Sequence, residues 1–328
     1  TSVGQRGTMV ARRVVWWIST AILLGVCLPI SVCIWLPAMG VVLLRLLFLQ
    51  CLGALTQLPD CAKGRPRIFF DGTGHLYPFS LGVTAHMMET YTLHSSTLFF
   101  AISGGNLSVL CILLNLSPND LLESQRRLLD DASWLPAMGL LGNLEGLRVW
   151  LEETLPLDFH IKATGRLVVV VSYWPTLGFH YISEFSSRSV LIDAIIASCR
   201  FPILSWRPQL LPIGGSFFKQ CLMFDAGFQN GITPLDELMD LSIRTFPRFP
   251  GDPSLTPTGF QTTLIGAALP LTHHRAKELM GMGRRNASRY LASRLGPHSD
   301  TKSNGKYDES ASRLKLGLRR RSSDTSNS

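Results

Sequence analysis

Two strand–turn–helix units stand next to each other in this chain. Arg67 to Phe70 is a short β-like run that breaks at Asp71-Gly72-Thr73-Gly74 and gives way to a helical pattern over roughly Leu76 to Leu93. Thr97 to Ile102 reads as a buried strand that breaks at Ser103-Gly104-Gly105, and a second helix is expected over Gly105 to Leu114. Strand, turn and helix repeated in that order predict an α/β fold with a parallel sheet, because parallel neighbours need a crossover and the helix supplies it. Arg166 to Trp174 and Phe179 to Phe185 read as further strands. Ser187 begins a helix as an N-cap residue. Leu222 to Phe224 is a short strand that runs into Asp225-Ala226-Gly227. Glu123 to Leu155 is mostly helical, with interruptions at Pro136 and Gly139, and Ala276 to Leu295 predicts a last helix.

Upstream of this pattern the texture differs. From Val14 to Leu58 the single charged residue is Arg45. A bilayer span needs about 20 apolar residues, and Val14 to Ile34 meets that alone. The run is too long for a signal peptide, whose apolar core is roughly 7–15 residues. Arg12 and Arg13 precede it, and Lys63, Arg65 and Arg67 follow it. Basic residues mark the cytosolic side, so the segment predicts a hairpin with both ends cytosolic, bent near Pro29 and Pro37, or a single span with an interfacial helix. Composition agrees with attachment to a membrane. Hydrophobic residues make up 46% and charged residues 16%, against about 25% charged in a typical soluble domain. The formal net charge of +8 suits anionic lipid headgroups, and neither RNP-like aromatics nor zinc-finger spacing points to nucleic acid. The seven cysteines show no CxxC spacing, so free thiols are expected. The expected organisation is a basic flank at 1–13, a transmembrane or hairpin anchor at 14–58 and an α/β domain at 64–245. A loop and C-terminal helix at 246–295 and a disordered basic, Ser-rich tail at 296–328 complete it.

Three turns could carry chemistry. Ser103 lies between a strand and a helix with tiny neighbours, as a nucleophile elbow requires, although Ala101 stands where G-x-S-x-G has its first glycine. Gly72-Thr73-Gly74 lies at a strand–helix junction, where backbone N–H groups can hold an oxyanion. Asp225 ends a short apolar strand; burial would raise its pKa and make it a better base. No HExxH, clustered Cys/His spacing or Walker sequence calls for a metal or nucleotide, and no cofactor is expected.

Taken together and in this order, the three turns resemble the patatin-like phospholipase domain. Phe70-Asp71-Gly72-Thr73-Gly74-His75-Leu76 is similar to its glycine-rich loop, and Ala101 to Gly105 to its serine elbow. Ile182 to Ser187 and Ala197 to Pro202 are similar to a segment of the animal-type members, and Asp225-Ala226-Gly227 to the D-G/A-G sequence. The resemblance covers about residues 66 to 240. It implies a parallel-sheet sandwich with flanking helices and a Ser–Asp dyad without histidine. Ser103 would be the nucleophile, Asp225 the base, and Gly72, Thr73 and Gly74 the oxyanion hole. The implied reaction is hydrolysis of fatty acyl esters of glycerolipids or phospholipids through an acyl-serine. Ala101, and His75, Leu76 and Tyr77 after the loop, depart from the family pattern.

Other readings stay open at this point. The order Ser103, Asp225, then His273 or His274 is also the α/β-hydrolase order. An acyltransferase would share the acyl-serine, and an inactive membrane scaffold could share the fold. A hairpin anchor suits the endoplasmic reticulum or a lipid droplet. Asn106-Leu107-Ser108 and Asn286-Ala287-Ser288 have the glycosylation pattern; the first would fall on the helix behind the serine.

Overall fold

The computed structural model describes residues 58–126, 136–173, 178–200, 209–213, 216–227, 230, 235, 238–246, 255–257, 271–295 and 318–320, with Gly40 and Leu44. Its sheet elements are β1 (Arg67–Phe70), β2 (Tyr91–Leu93), β3 (Leu98–Ala101), β4 (Leu167–Tyr173), β5 (Phe179–Ile182), β6 (Gln209–Ile213), β7 (Ser216–Asp225), β8 (Leu241–Ile243) and β9 (Leu318–Arg320). The helices are α1 (Tyr77–Thr90), α2 (Gly105–Leu114), α3 (Pro118–Ser124), α4 (Pro136–Thr154), α5 (Phe159–Ala163), α6 (Arg188–Ser198) and α7 (His273–Leu295).

Seven strands form one mixed sheet in the order β6-β7-β4-β3-β1-β8, with β5 also paired to β4. The centre is parallel: β4 with β3, β3 with β1, and β1 with β8. β5 and β7 join β4 antiparallel, and β6 joins β7 likewise. The central strands read as near-continuous apolar runs because both of their faces are covered. Ile68, Phe70, Phe99, Ala101, Leu167, Val169 and Val171 pack into one core with helical residues such as Phe79, Leu107, Ile195 and Leu279. The alternate residues Phe69, Leu98, Phe100, Val168 and Val170 enter a second core with Ala62, Ala226 and Leu235. The α/β fold and the parallel centre of the sheet agree with the two strand–turn–helix units; the sheet is mixed rather than parallel throughout, because β5, β6 and β7 pair antiparallel.

The tightest helix packing is between α1 and α7. A Cβ on Gly82 would fall on the carbonyl oxygen of Met280, and one on Gly283 on the carbonyl oxygen of Phe79. The two backbones therefore meet with no side chain between them.

Several elements differ from the sequence expectation. The helical pattern expected to Leu93 ends at Thr90, and Tyr91–Leu93 pair antiparallel with Leu318–Arg320. Those last three residues lie in the stretch read as a disordered tail; Leu318 is buried in the core, which gives this piece an apolar anchor. α4 runs through Gly139 without a break, where the sequence predicted an interruption; the residues just before Pro136 lie outside the described ones. β7 reaches back to Ser216, because β6 gives it a partner well before Leu222. The apolar segment 14–58 lies, but for Gly40, Leu44 and Leu58, outside the described residues, as does most of 296–328. Among the described residues no helix is long and apolar enough to cross a membrane.

Candidate active site

The parallel register brings the three turns together. Phe70 sits beside Ala101 and beside Ile243, so the chain leaves β1, β3 and β8 at one edge of the sheet. The glycine loop follows β1 and the serine turn follows β3. Asp225 lies across from Val171 at the end of β7.

Ser103 has φ of 53°, a left-handed conformation that a residue with a Cβ adopts at a cost of about 1–2 kcal/mol. Strain of this kind persists only where the surroundings impose it. Here the glycines impose it through close approach. A Cβ on Gly105 would lie 2.5 Å from the Phe70 carbonyl oxygen, and one on Gly104 2.5 Å from Thr73 Oγ1. The third position is less demanding. Ala101 is fully buried at the end of β3, and its methyl is part of the core.

Polar contacts hold the turn from behind. The Ser103 amide donates to Ser198 Oγ at 2.9 Å, and that hydroxyl donates to the Val170 carbonyl at 2.9 Å. Asn106 Nδ2 donates to the Ser103 carbonyl at 2.9 Å. Asn106 is fully buried, so the first glycosylation pattern is a structural amide. α6 delivers Ser198 to this position. Its start is capped by Ser187 Oγ, which accepts from the Val190 amide at 3.2 Å as the sequence predicts.

Ser103 and Asp225 are near enough to interact, and Ser103 favours the ionised Asp225 carboxylate. Both residues are 6% exposed. Burial raises the Asp225 pKa to about 6; the hydrogen bond from the Gly227 amide and the neighbouring Ser103 oppose that rise, and the Asp71 carboxylate adds to it. The Gly227 amide donates to Asp225 Oδ1 at 2.7 Å, an Asx turn that explains a glycine two residues after the aspartate. Burial and the Asp225 charge push the Cys199 thiol well above the ordinary range, and the neighbouring Ser103 opposes that rise.

The glycine loop lies against this pair. A Cβ on Gly72 would lie 3.2 Å from Ile102 Cγ2, 3.5 Å from Gly227 Cα and 3.7 Å from Asp225 Oδ1. The Gly72 amide donates to Asp71 Oδ1 at 2.7 Å and is engaged there. Gly74 has φ of 50° and is exposed, and Thr73 is buried behind it. Desolvation lowers the pKa of the adjoining His75 to about 4, which leaves it neutral near pH 7.

The two histidines of the alternative triad have other carboxylate neighbours. His273 Nε2 is 3.1 Å from Glu123 Oε2, and His274 Nε2 is 3.4 Å from Glu278 Oε1. Among the described residues no group of three or more His, Cys, Asp or Glu could hold a metal ion.

Sequence reasoning missed several residues around the site. Ser198 and Cys199 lay inside a segment noted for its family likeness but had no role. Asp71 was read as part of a turn, and Asn230 and Arg244 were not singled out. A charged residue directly after the apolar triplet Leu241–Ile243 was the one available signal for Arg244.

No family model matches the chain. Over 151 residues, 43% of its length, the chain is 26% identical to patatin-like phospholipase domain-containing protein 5 of Mus musculus. The match spans 34% of that protein. This partial, distant similarity suggests the patatin-like family at most, and the α/β sheet with flanking helices is consistent with a patatin-like fold.

Proposed function

We propose that this chain is a serine lipid acyl hydrolase working through Ser103 and Asp225. The observation that carries this reading is a strained, buried serine and a buried carboxylate that interacts with it, with a glycine loop alongside. Asp225 removes the Ser103 proton as Oγ attacks the ester carbonyl carbon. With a pKa of about 6 it is ionised at neutral pH, yet it is a stronger base than an ordinary carboxylate. The oxyanion is held by the backbone N–H groups of Thr73 and Gly74, since that of Gly72 is engaged by Asp71. The start of α2 adds its positive end. The alcohol leaves with the proton from Asp225, and an acyl-serine remains. Water, deprotonated by Asp225, attacks the acyl carbonyl; the bond to Ser103 Oγ breaks, Oγ takes the proton back from Asp225, and the fatty acid is released.

The substrates are acyl esters of glycerolipids or phospholipids, and no cofactor takes part in this scheme. The apolar segment 14–58 serves as the membrane anchor, which holds the site at the lipid–water interface with the domain on the cytosolic side.

The test is labelling with a fluorophosphonate probe, with the adduct located by mass spectrometry. Wild type and His273→Ala are expected to label at Ser103, whereas Ser103→Ala and Asp225→Asn are not. Absence of labelling in folded wild type would overturn the reading in favour of a scaffold.

A further inference from the structure

We infer that Asp71, Arg244 and Asn230 form a buried cross-link that fixes the glycine loop relative to the segment that follows Asp225, and that Arg244 is thereby a positioning residue for the site. The inference rests on the proposed hydrolase for its kinetic consequence and on geometry alone for its structural one.

Sheet register makes the cross-link. Phe70 of β1 and Ile243 of β8 are paired, and the Asp71 amide donates to the Ile243 carbonyl at 3.0 Å. The next residue on each strand is therefore Asp71 on one and Arg244 on the other. Arg244 Nη2 is 3.2 Å from Asp71 Oδ2, with both side chains buried, 4% and 6% exposed. Arg244 Nε donates to the Phe246 carbonyl at 3.2 Å, which limits the freedom of the guanidinium.

The other carboxylate oxygen faces the catalytic side. Asp71 Oδ1 accepts from the Gly72 amide at 2.7 Å and from Asn230 Nδ2 at 2.9 Å. Asn230 lies five residues after Asp225: its amide donates to the Ala226 carbonyl at 2.9 Å, the spacing of a helical turn, and its Oδ1 accepts from the Leu235 amide at 2.9 Å. One carboxylate thus ties together the loop of the oxyanion donors, the segment that follows the base and the end of β8.

A buried ion pair of this kind is poor evidence for net stability, since desolvation offsets much of its Coulombic gain. Its geometry is specific, however. A reacting constellation loses on the order of 10²-fold in rate for a displacement of about 1 Å, so a strut between two catalytic loops has a kinetic effect even where its net stability is small.

The experiment uses the full chain and the variants Arg244→Met, Arg244→Lys and Asn230→Ala. Backbone hydrogen exchange is followed in peptides covering residues 71–76 and 225–235, and kcat and KM are measured on a soluble p-nitrophenyl ester. Arg244→Met should speed exchange in both loops together while the central strands keep their protection. It should lower kcat by roughly 10–10²-fold with KM changed less than about twofold, and Arg244→Lys should recover most of the loss. Asn230→Ala, which leaves the ion pair in place, should loosen the same two loops and decides the matter if Arg244→Met does not fold. Unchanged exchange in either loop, or a rate loss that Lys fails to relieve, would overturn the inference. A wild type that neither labels at Ser103 nor hydrolyses the ester would instead overturn the proposed function, and the exchange data would still decide the cross-link.

Discussion

Ser198 Oγ takes the proton of the Ser103 amide and gives its own to the Val170 carbonyl, both at 2.9 Å. One hydroxyl therefore couples the strained turn to the centre of the sheet. Ser198→Ala removes the acceptor and leaves a buried N–H unsatisfied, at a cost of about 1–3 kcal/mol. Urea denaturation should show that loss. Ester hydrolysis should fall at least about tenfold, because the strained φ of Ser103 loses one of its restraints. Wild-type kinetics in this variant would show that the glycines alone hold the turn.

The Asp225 carboxyl gives two opposite pH dependences. Hydrolysis needs the ionised form, so kcat/KM should rise with pH through about 6 and then level off. Stability runs the other way. A carboxyl whose pKa is raised on folding, here from 3.8 to about 6, favours the folded state most below the lower value and loses that contribution as pH rises through the upper one. Asp225→Asn should therefore abolish hydrolysis and raise stability above pH 6 by up to about 3 kcal/mol. Thermal melts of both proteins at pH 4 and pH 8 measure the difference, and equal melting differences at the two pH values would contradict it.

His75 tests the polarity of the loop surroundings. Its pKa of about 4 means that it stays neutral where an ordinary imidazole is half protonated. A depressed value makes the folded state lose stability as pH falls from about 6.5 to about 4, since the unfolded chain takes the proton first. The Cε1 proton resonance in an NMR titration should show no midpoint above about pH 5. A midpoint near 6.5 would mean that the loop side is wet.

The glycines of α7 should respond in opposite directions. Gly281→Ala meets only the flexible Arg285 side chain, at 3.4 Å, and should gain up to about 1 kcal/mol of helix propensity. Gly283→Ala, and Gly82→Ala on α1, would drive a methyl into backbone and should cost about 1–3 kcal/mol or more. Denaturant midpoints of the three variants measure this contrast.

The legible parts of the chain were those with local causes. Gly105 to Leu114 is a helix because apolar residues follow a tight turn, and Ser187 caps α6 through a contact three residues away. Ser103, Asp225 and the glycine loop could be read because tight turns demand small residues at fixed offsets, and the structure brings the three together. What escaped was set by distant partners. Tyr91–Leu93 carry a helical pattern but extend because Leu318–Arg320 supply a ladder from the far end of the chain. Leu241–Ile243 are too few to announce a strand, and they form one because β1 has an open edge. Asp71 looked like turn punctuation because its partners Asn230 and Arg244 are adjacent only after the sheet is assembled.

The backbone meeting of α1 and α7 has a mechanical side. α1 begins three residues after Gly74, so its first turn continues the chain of the glycine loop. Side chains normally act as soft spacers between helices, and at Gly82 and Gly283 there are none. The surface of α7 carries the exposed residues Arg285 and Arg289, which any anionic surface could grip. Any shift of α7 at these two glycines would press backbone on backbone, on the helix that begins just after the glycine loop.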